Sequence, residues 1–486
     1  MDHHQPLSSR IENFQFTRLA LAFALVTLLL ATNLSGVGVT YDTTEYFAGA
    51  KSIAEAGTFS SVDGRPQATW PPGYSFLLSI PIRAGFSLNA SSLLVAALSL
   101  VAIVWSAIHI LLQSSMAPRS INVALAWLLL SPGLVTASSL ALSELPFIAL
   151  LLGSWALLTQ KNSTLAVLSG AVLLGSATMI RYVGIFLIPL YLLLAITYNF
   201  SRHSWQKCVL RGVIFLFVAS SLPYLWSLRN IRETGTASGN REPGGGTFSN
   251  AARESVRAFG ESLVNVLEIV PDNLLLIVGS LFIIALINAL IFNLFHRQFD
   301  LAVVAAIPLA YLAFTAVRFV KFEYAPIDSR AVTPMIPFAV IPLVATHWPS
   351  KFTKYARRAA PFVLLPLLFG SLLEIRTRAL EPQAWGSSQF QETPLAKTIK
   401  RLSDGSVIIS NFPQRAFSIT EISPIRNQYQ FDLPAVVQCH KRYGLWFAEA
   451  PFQGNEPILA AILYEDADGR IYDLGDCSTP AKSFWE

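Results

Sequence analysis

Charge is scarce in this chain. Only 13% of its 486 residues are Asp, Glu, Lys or Arg, while 53% are hydrophobic and 12% aromatic. That balance excludes a disordered or ordinary soluble chain and fits a polytopic membrane protein. Histidine and cysteine are also few, at seven and three. There is no HExxH, no CxxC pair, and no histidine in the segments between the apolar runs that fall on the acidic side. No zinc site is therefore called for. The Gly-rich stretch TGTASGNREPGGGTFSN lacks the GK[ST] ending of a phosphate-binding loop. It reads as a mobile loop, either an inert linker or a lid over substrate. No basic tract points to nucleic acid; the net charge of +5 reflects Lys and Arg near the membrane. No internal repeat or low-complexity tract is found, which weighs against many transporter folds. The start lacks a cleavable signal pattern, and the first apolar run reads as an uncleaved signal anchor.

What is present is a ladder of apolar runs. About eleven spans are expected, at roughly 14–36, 90–113, 120–137, 142–160, 163–180, 182–199, 209–228, 272–295, 300–318, 332–348 and 360–376. With the N-terminus cytoplasmic, the inner connections hold Arg119, Lys161, Arg202-His203-Lys207-Arg211, His296-Arg297 and Lys351-Lys354-Arg357-Arg358. They carry hardly any acid, so the positive-inside rule is met repeatedly. Residues 74–88 contain Pro81 and Arg83 and are short. Counted as a span they would reverse every later loop, so they read as an interfacial helix on the outer leaflet.

The expected architecture is thus mainly α. A plasma (inner) membrane domain covers 1–376, with an outer loop at 38–89 carrying interfacial helices. An extracytoplasmic C-terminal domain covers 377–486. In that tail SVIIS, AFSIT and ILAAILY alternate with turn-like stretches and PLAKTIKRL reads as a helix, so a small α/β domain is expected. Trp446 and Phe447 are candidates for its core. Cys439 and Cys477 lie in the tail, as a disulfide or as two separate thiols, and Cys208 lies on the cytoplasmic side.

The few charges within the apolar region gather at the outer ends of helices. Asp42, Glu45, Glu144, Arg181, Arg229 and Arg330 all fall there, where charge usually marks a site. Carboxylates and arginines together suggest chemistry on a phosphate-bearing substrate. Asp42 and Glu45 are three apart, on one side of a helical turn. Asp42 is read as a general base, Glu45 as a second acid and Glu144 as a cavity-facing acid. Their plain readings are an N-cap at Asp42 or Thr43, a first-turn acid, and a helix start capped by Ser143. Arg181 suits an anion clamp, because guanidinium offers a planar fork to phosphate oxygens; otherwise it snorkels. Arg229 and Arg330 are further anion-binding candidates. Tyr41, Trp70 and Tyr74, around the rigid Pro71-Pro72-Gly73 turn, are substrate-contact candidates or headgroup-level anchors. Asp42, Glu45 or Glu144 with a substrate phosphate could hold a divalent ion; no other cofactor is called for.

The order of these features resembles a known group. An outward Asp after the first span, an amphipathic helix, WPPGY, SPG…SSLALSELPF, Arg181 opening the sixth span, and a late R..TP..P motif are similar to the GT-C glycosyltransferases. Members in the same style are the polyprenyl-phosphate-sugar transferases, including protein O-mannosyltransferases and lipid A aminoarabinose transferase. The resemblance covers roughly 14–376 and is densest over 36–190. It implies a polyprenyl-phosphate sugar donor, transfer of a hexose or pentose with inversion, and an acceptor hydroxyl on a glycan, lipid or protein at the outer face. It also implies that Asp42 activates the acceptor and that Arg181, then Arg330, holds the donor phosphate. Glu45 departs from the adjacent acidic pair of many members. A transporter or flippase of lipid-linked saccharides is the runner-up. It would share the apolar composition and the arginines but place polar residues at mid-membrane depth.

Overall fold

The computed structural model describes residues 21–22, 26–27, 29–30, 33–113, 118–160, 163–200, 205–239, 246–264, 270–322, 327–349, 369–373, 375–380, 385–403, 406–422, 425–426, 442–448 and 460–474. Most of the expected first and last spans, and Cys439 and Cys477, lie outside the described residues. The contacts divide the chain into two units. One comprises Met1–Leu34, Leu93–Ser139 and Ser143–Ala379; the other comprises Ser35–Ser92, Leu140–Leu142 and Leu380–Glu486.

The first unit is helical. Among the described residues, four helices are long and apolar enough to cross a membrane: Leu88–Gln113, Trp205–Thr234, Asp272–Phe295 and Phe299–Lys321. A fifth span arises if the pair Ile121–Leu129 and Pro132–Ser139, bent by 49°, counts as one. The bend follows from Pro132, whose ring and missing N–H stop the preceding helix. Glu144–Leu158, Thr164–Ile180, Tyr182–Thr197 and Ser329–Ala345 are shorter apolar helices. The exposed faces are apolar: Phe217, Tyr224, Leu225, Ile277, Leu281 and Ile284 are each more than half exposed. Such a surface suits hydrocarbon rather than water. The protein is a polytopic helical membrane protein.

Sequence reading missed the helix Phe248–Val264, hidden behind the Gly-rich run. Its buried residues Ala251, Ser255, Ala258, Phe259, Ser262 and Leu263 recur at helical spacing. Gly260 and Gly279 let it press against Asp272–Phe295; a Cβ on either would strike the facing helix's carbonyls.

The second unit holds a five-stranded sheet in the order β2-β1-β3-β5-β4: β1 Val407–Ser410, β2 Ile425–Arg426, β3 Arg442–Phe447, β4 Ala461–Asp466 and β5 Gly469–Asp473. β1 runs parallel to β2 and β3, while β5 runs antiparallel to β3 and β4. Helix Pro394–Leu402 matches its expected bounds. AFSIT was expected as a strand, yet it lies in helix Pro413–Thr420. Pro413 explains this, because proline is favoured in a helix's first turn and unwelcome in a central strand. Leu395, Ile399, Ala416 and Ile419 pack with Ile408, Leu445, Phe447 and Ile471 on one face. Ile409, Trp446, Tyr472 and Leu474 close the other. Gly469, at φ +155°, makes the β4–β5 turn, where Asp466 accepts from the N–H groups of Asp468 and Gly469.

The first outer segment belongs to this same unit. Helix Tyr41–Ala56 is capped by Thr40, whose side chain accepts from the Thr43 N–H. Asp42 is therefore a first-turn residue and not the cap. Helix Gly73–Arg83 packs beside it, with Ser75 donating to the Tyr46 carbonyl at 2.9 Å and Arg83 to the Ile53 carbonyl at 2.7 Å.

Candidate active site

The candidate residues fall into two groups, one in each unit. In the second unit, one helical turn carries Tyr41, Asp42 and Glu45. Asp42 is half-buried and accepts a hydrogen bond from the Trp70 indole N–H at 3.2 Å. The Trp70 ring lies 5.9 Å from the Tyr41 ring. The loop ending in Pro71-Pro72 thus hands its indole to the carboxylate. Tyr74 is buried, edge-on to Tyr46 with ring centroids 5.0 Å apart.

Glu45 is only 4% exposed. Its Oε2 accepts from the Gln67 amide at 2.9 Å and the Val62 backbone N–H at 3.2 Å, and its Oε1 accepts from the Gln414 amide at 2.9 Å. Gln414 also donates to the Tyr41 hydroxyl at 3.0 Å. Burial pushes the Glu45 carboxyl up to about 7, with the carboxylates of Asp63 and Asp42 adding to the rise. The hydrogen bonds from Gln414 and Val62 pull the other way. Sequence reading did not find Gln414; a neutral amide 369 positions from Glu45 leaves no local signal.

In the first unit, Arg181 ends helix Thr164–Ile180 in an extended conformation, and a 3-10 turn, Tyr182–Leu187, follows. This break turns the guanidinium toward Glu144, the first residue of Glu144–Leu158. Nη1 lies 2.6 Å from Glu144 Oε1 and donates to the Ser143 hydroxyl at 3.3 Å. Ser143 makes no side-chain cap, so the serine-capped start does not form. Glu144 Oε2 is buried and lacks a hydrogen-bond partner among the described residues.

Tyr182, beside Arg181, accepts from the Trp226 indole and the Asn230 amide, each at 3.1 Å. Arg229 donates to Asn230 Oδ1 at 3.0 Å and stacks over Trp226. Arg330 donates to Asp328 at 2.7 Å, and Asp328 caps the short helix Ser329–Val332. Among the described residues no group of three His, Cys, Asp or Glu is placed to hold a metal ion.

No profile of a known protein family matches the chain, and no curated protein does. Solved structures do. ArnT from Cupriavidus metallidurans in its apo state superposes with a TM-score of 0.62 at 13% identity, covering 95% of this chain and 98% of that one. The same enzyme bound to undecaprenyl phosphate gives 0.61 at 12%, with the same coverage. The fold is that of the GT-C glycosyltransferases. The arabinofuranosyltransferase AftD from Mycobacteria gives 0.50 at 15%, covering 95% of this chain and 42% of that one. The resemblance expected from WPPGY, SELPF and Arg181 is met at the level of the GT-C fold.

Proposed function

We propose that this protein is a membrane glycosyltransferase that moves a sugar from a polyprenyl-phosphate donor to an acceptor hydroxyl at the outer face of the membrane. The observation that carries the reading is the Arg181–Glu144 pair at 2.6 Å, held at a helix break. A guanidinium fixed there can neutralise a leaving phosphate, and the developing charge strengthens that contact in the transition state. The likeness in fold to ArnT, solved with undecaprenyl phosphate bound, supports the donor class. Asp42 acts as the base that takes the acceptor's proton, oriented by the Trp70 N–H. Attack by the acceptor oxygen breaks the bond between anomeric carbon and phosphate oxygen, inverts the carbon and releases polyprenyl phosphate. Within the first unit Arg229 and Arg330 are further candidates for the donor phosphate, and within the second Tyr41 and Trp70 stand beside Asp42 as candidates for contact with the acceptor.

In this reading the membrane domain, 1–376, spans about eleven times with a cytoplasmic N-terminus. The tail, 377–486, lies outside the cytoplasm. The acceptor is a glycan, a lipid or a protein. A divalent ion is not required by the step as written.

The test uses the purified full chain in lipid vesicles with a panel of undecaprenyl-phosphate-linked pentoses and hexoses, and a membrane extract as the acceptor source. Release of undecaprenyl phosphate is measured. We expect release with at least one sugar and its loss in Asp42→Asn. Equal release by wild type and Asp42→Asn, or none from any member of the panel, overturns the reading.

A further inference from the structure

The tail contributes a side chain to the turn that carries Asp42. Gln414, the second residue of helix Pro413–Thr420, has two amide protons. It spends one on Glu45 Oε1 at 2.9 Å and the other on the Tyr41 hydroxyl at 3.0 Å. Tyr41 and Glu45 flank Asp42 on the same helix. The Tyr41 ring faces Trp70, whose N–H reaches Asp42. Glu45 in turn holds the loop that delivers Trp70, because Gln67 and Val62 both donate to its Oε2. Gln67 continues the chain by accepting from the Thr69 N–H at 3.0 Å, one residue before Trp70. The tail thus reaches the Asp42 carboxylate by two routes, one through Tyr41 and one through Glu45.

We infer that Gln414 and Glu45 are positioning residues for Asp42, and that the C-terminal domain is a working part of the acceptor side and not merely an appended module. The inference rests on the reading of Asp42 as the base.

The arrangement is built and not incidental. Glu45 is a carboxylate buried among three N–H donors, and Gln414 is itself buried. A buried carboxylate is expensive unless its lone pairs are met. Here they are met by the tail and by the loop together. Packing alone would be served by apolar residues at both positions. The charged and titratable groups facing Glu45 are Asp42 and Tyr41 on its own helix and Asp63 on the adjoining loop. From the tail helix Pro413–Thr420 the neutral amide of Gln414 meets it. Arg415, the next residue, lies over the rings of Phe390 and Phe447 instead.

The experiment compares wild type, Gln414→Leu, Glu45→Gln and Asp42→Asn as full-length protein in lipid vesicles. The first readout needs no substrate. The protonation of Glu45 is followed by infrared difference titration of its carboxyl band, assigned by the band's loss in Glu45→Gln. Removing the Gln414 donor should raise the titration midpoint, because that hydrogen bond favours the charged form. The second readout is release of undecaprenyl phosphate from the sugar-linked lipid panel described above. Gln414→Leu should lower kcat about ten- to a hundredfold, leave KM for the lipid donor unchanged and shift the pH profile, as misplacement of a base does. A midpoint that does not rise, or a kcat equal to wild type in Gln414→Leu while Asp42→Asn is inactive, overturns the inference and leaves the transferase reading standing. Full turnover in Asp42→Asn overturns that reading instead, and with it the role of Gln414.

Discussion

Arg181 reaches Glu144 across 2.6 Å, from the end of one helix to the start of the helix just before it in the chain. Both side chains are largely buried, so neither can be removed without leaving its partner exposed to a low-dielectric setting. Arg181→Ala should therefore weaken binding of undecaprenyl phosphate at least tenfold and also destabilise the first unit, by about 3–5 kcal/mol as for a broken buried pair. Arg181→Lys should recover part of each, since an ammonium lacks the two-pronged geometry. Titration of each purified variant with undecaprenyl phosphate checks this. Unaltered binding by Arg181→Ala would assign the residue to structure alone.

Glu144→Gln separates the two roles of that pair. In the resting protein the carboxylate competes with any phosphate for the same guanidinium. The amide keeps the shape but gives up the charge. Binding of undecaprenyl phosphate should be unchanged or tighter, while turnover falls if Glu144 also contacts the reacting groups. A weakening of phosphate binding comparable with that of Arg181→Ala would mean that Glu144 is needed to hold the guanidinium in place.

Asp42→Asn should cost about two to four orders of magnitude in sugar transfer, the usual worth of a general base, with donor binding nearly intact. Trp70→Phe keeps the ring and removes the N–H that Asp42 accepts. It should lower kcat several-fold only. A steady-state comparison of kcat and KM decides. An effect confined to KM would move both residues out of the chemical step.

Much of this fold was readable because long apolar runs leave few alternatives. The span expected at 272–295 coincides with helix Asp272–Phe295, and PLAKTIKRL with Pro394–Leu402. Errors arose where a local cue competed with a global one. Phe, Ile and Thr made AFSIT look like a strand, but Pro413 starts a helix there that carries the chain from β1 to the parallel strand β2. The pairing of Glu144 with Arg181 needed three dimensions, although both residues had already stood out as charges in apolar surroundings. Glu45 stood out for the same reason. Its partners did not, because Gln67 and Gln414 are ordinary polar residues whose importance comes only from the carboxylate they meet.

Sidedness is tested by placing single cysteines at exposed positions. Lys397 is exposed on the tail helix, and Arg297 is exposed after Asp272–Phe295. The positive-inside pattern puts the first outside and the second in the cytoplasm. Lys397→Cys should react with an impermeant maleimide on intact cells, and Arg297→Cys only after permeabilisation. Cys208 is buried and should stay silent in both. The reverse labelling pattern would invert the chain and remove the outward-facing site.

Glu45 gives stability a pH dependence of definite sign. Its carboxyl is raised by burial from the ordinary 4.5 to about 7, so between those values the folded protein holds a proton that the unfolded chain has released. Stability from this group is complete below about pH 4.5 and is lost as pH rises through about 7. The difference across the window is about 3 kcal/mol, taking 1.36 kcal/mol per unit. Thermal unfolding of the purified protein should therefore occur at a lower temperature at pH 8 than at pH 5. Other groups titrate in the same range, which is why the informative comparison is with Glu45→Gln. That variant carries a neutral side chain at every pH and should lose most of the difference. At pH 8 it should match or exceed the wild type in stability while transferring sugar more slowly, because a neutral amide cannot hold Gln67, Val62 and Gln414 as the carboxylate does. Equal pH dependence in the two proteins would mean that Glu45 is ionised throughout and that its three N–H donors outweigh its burial.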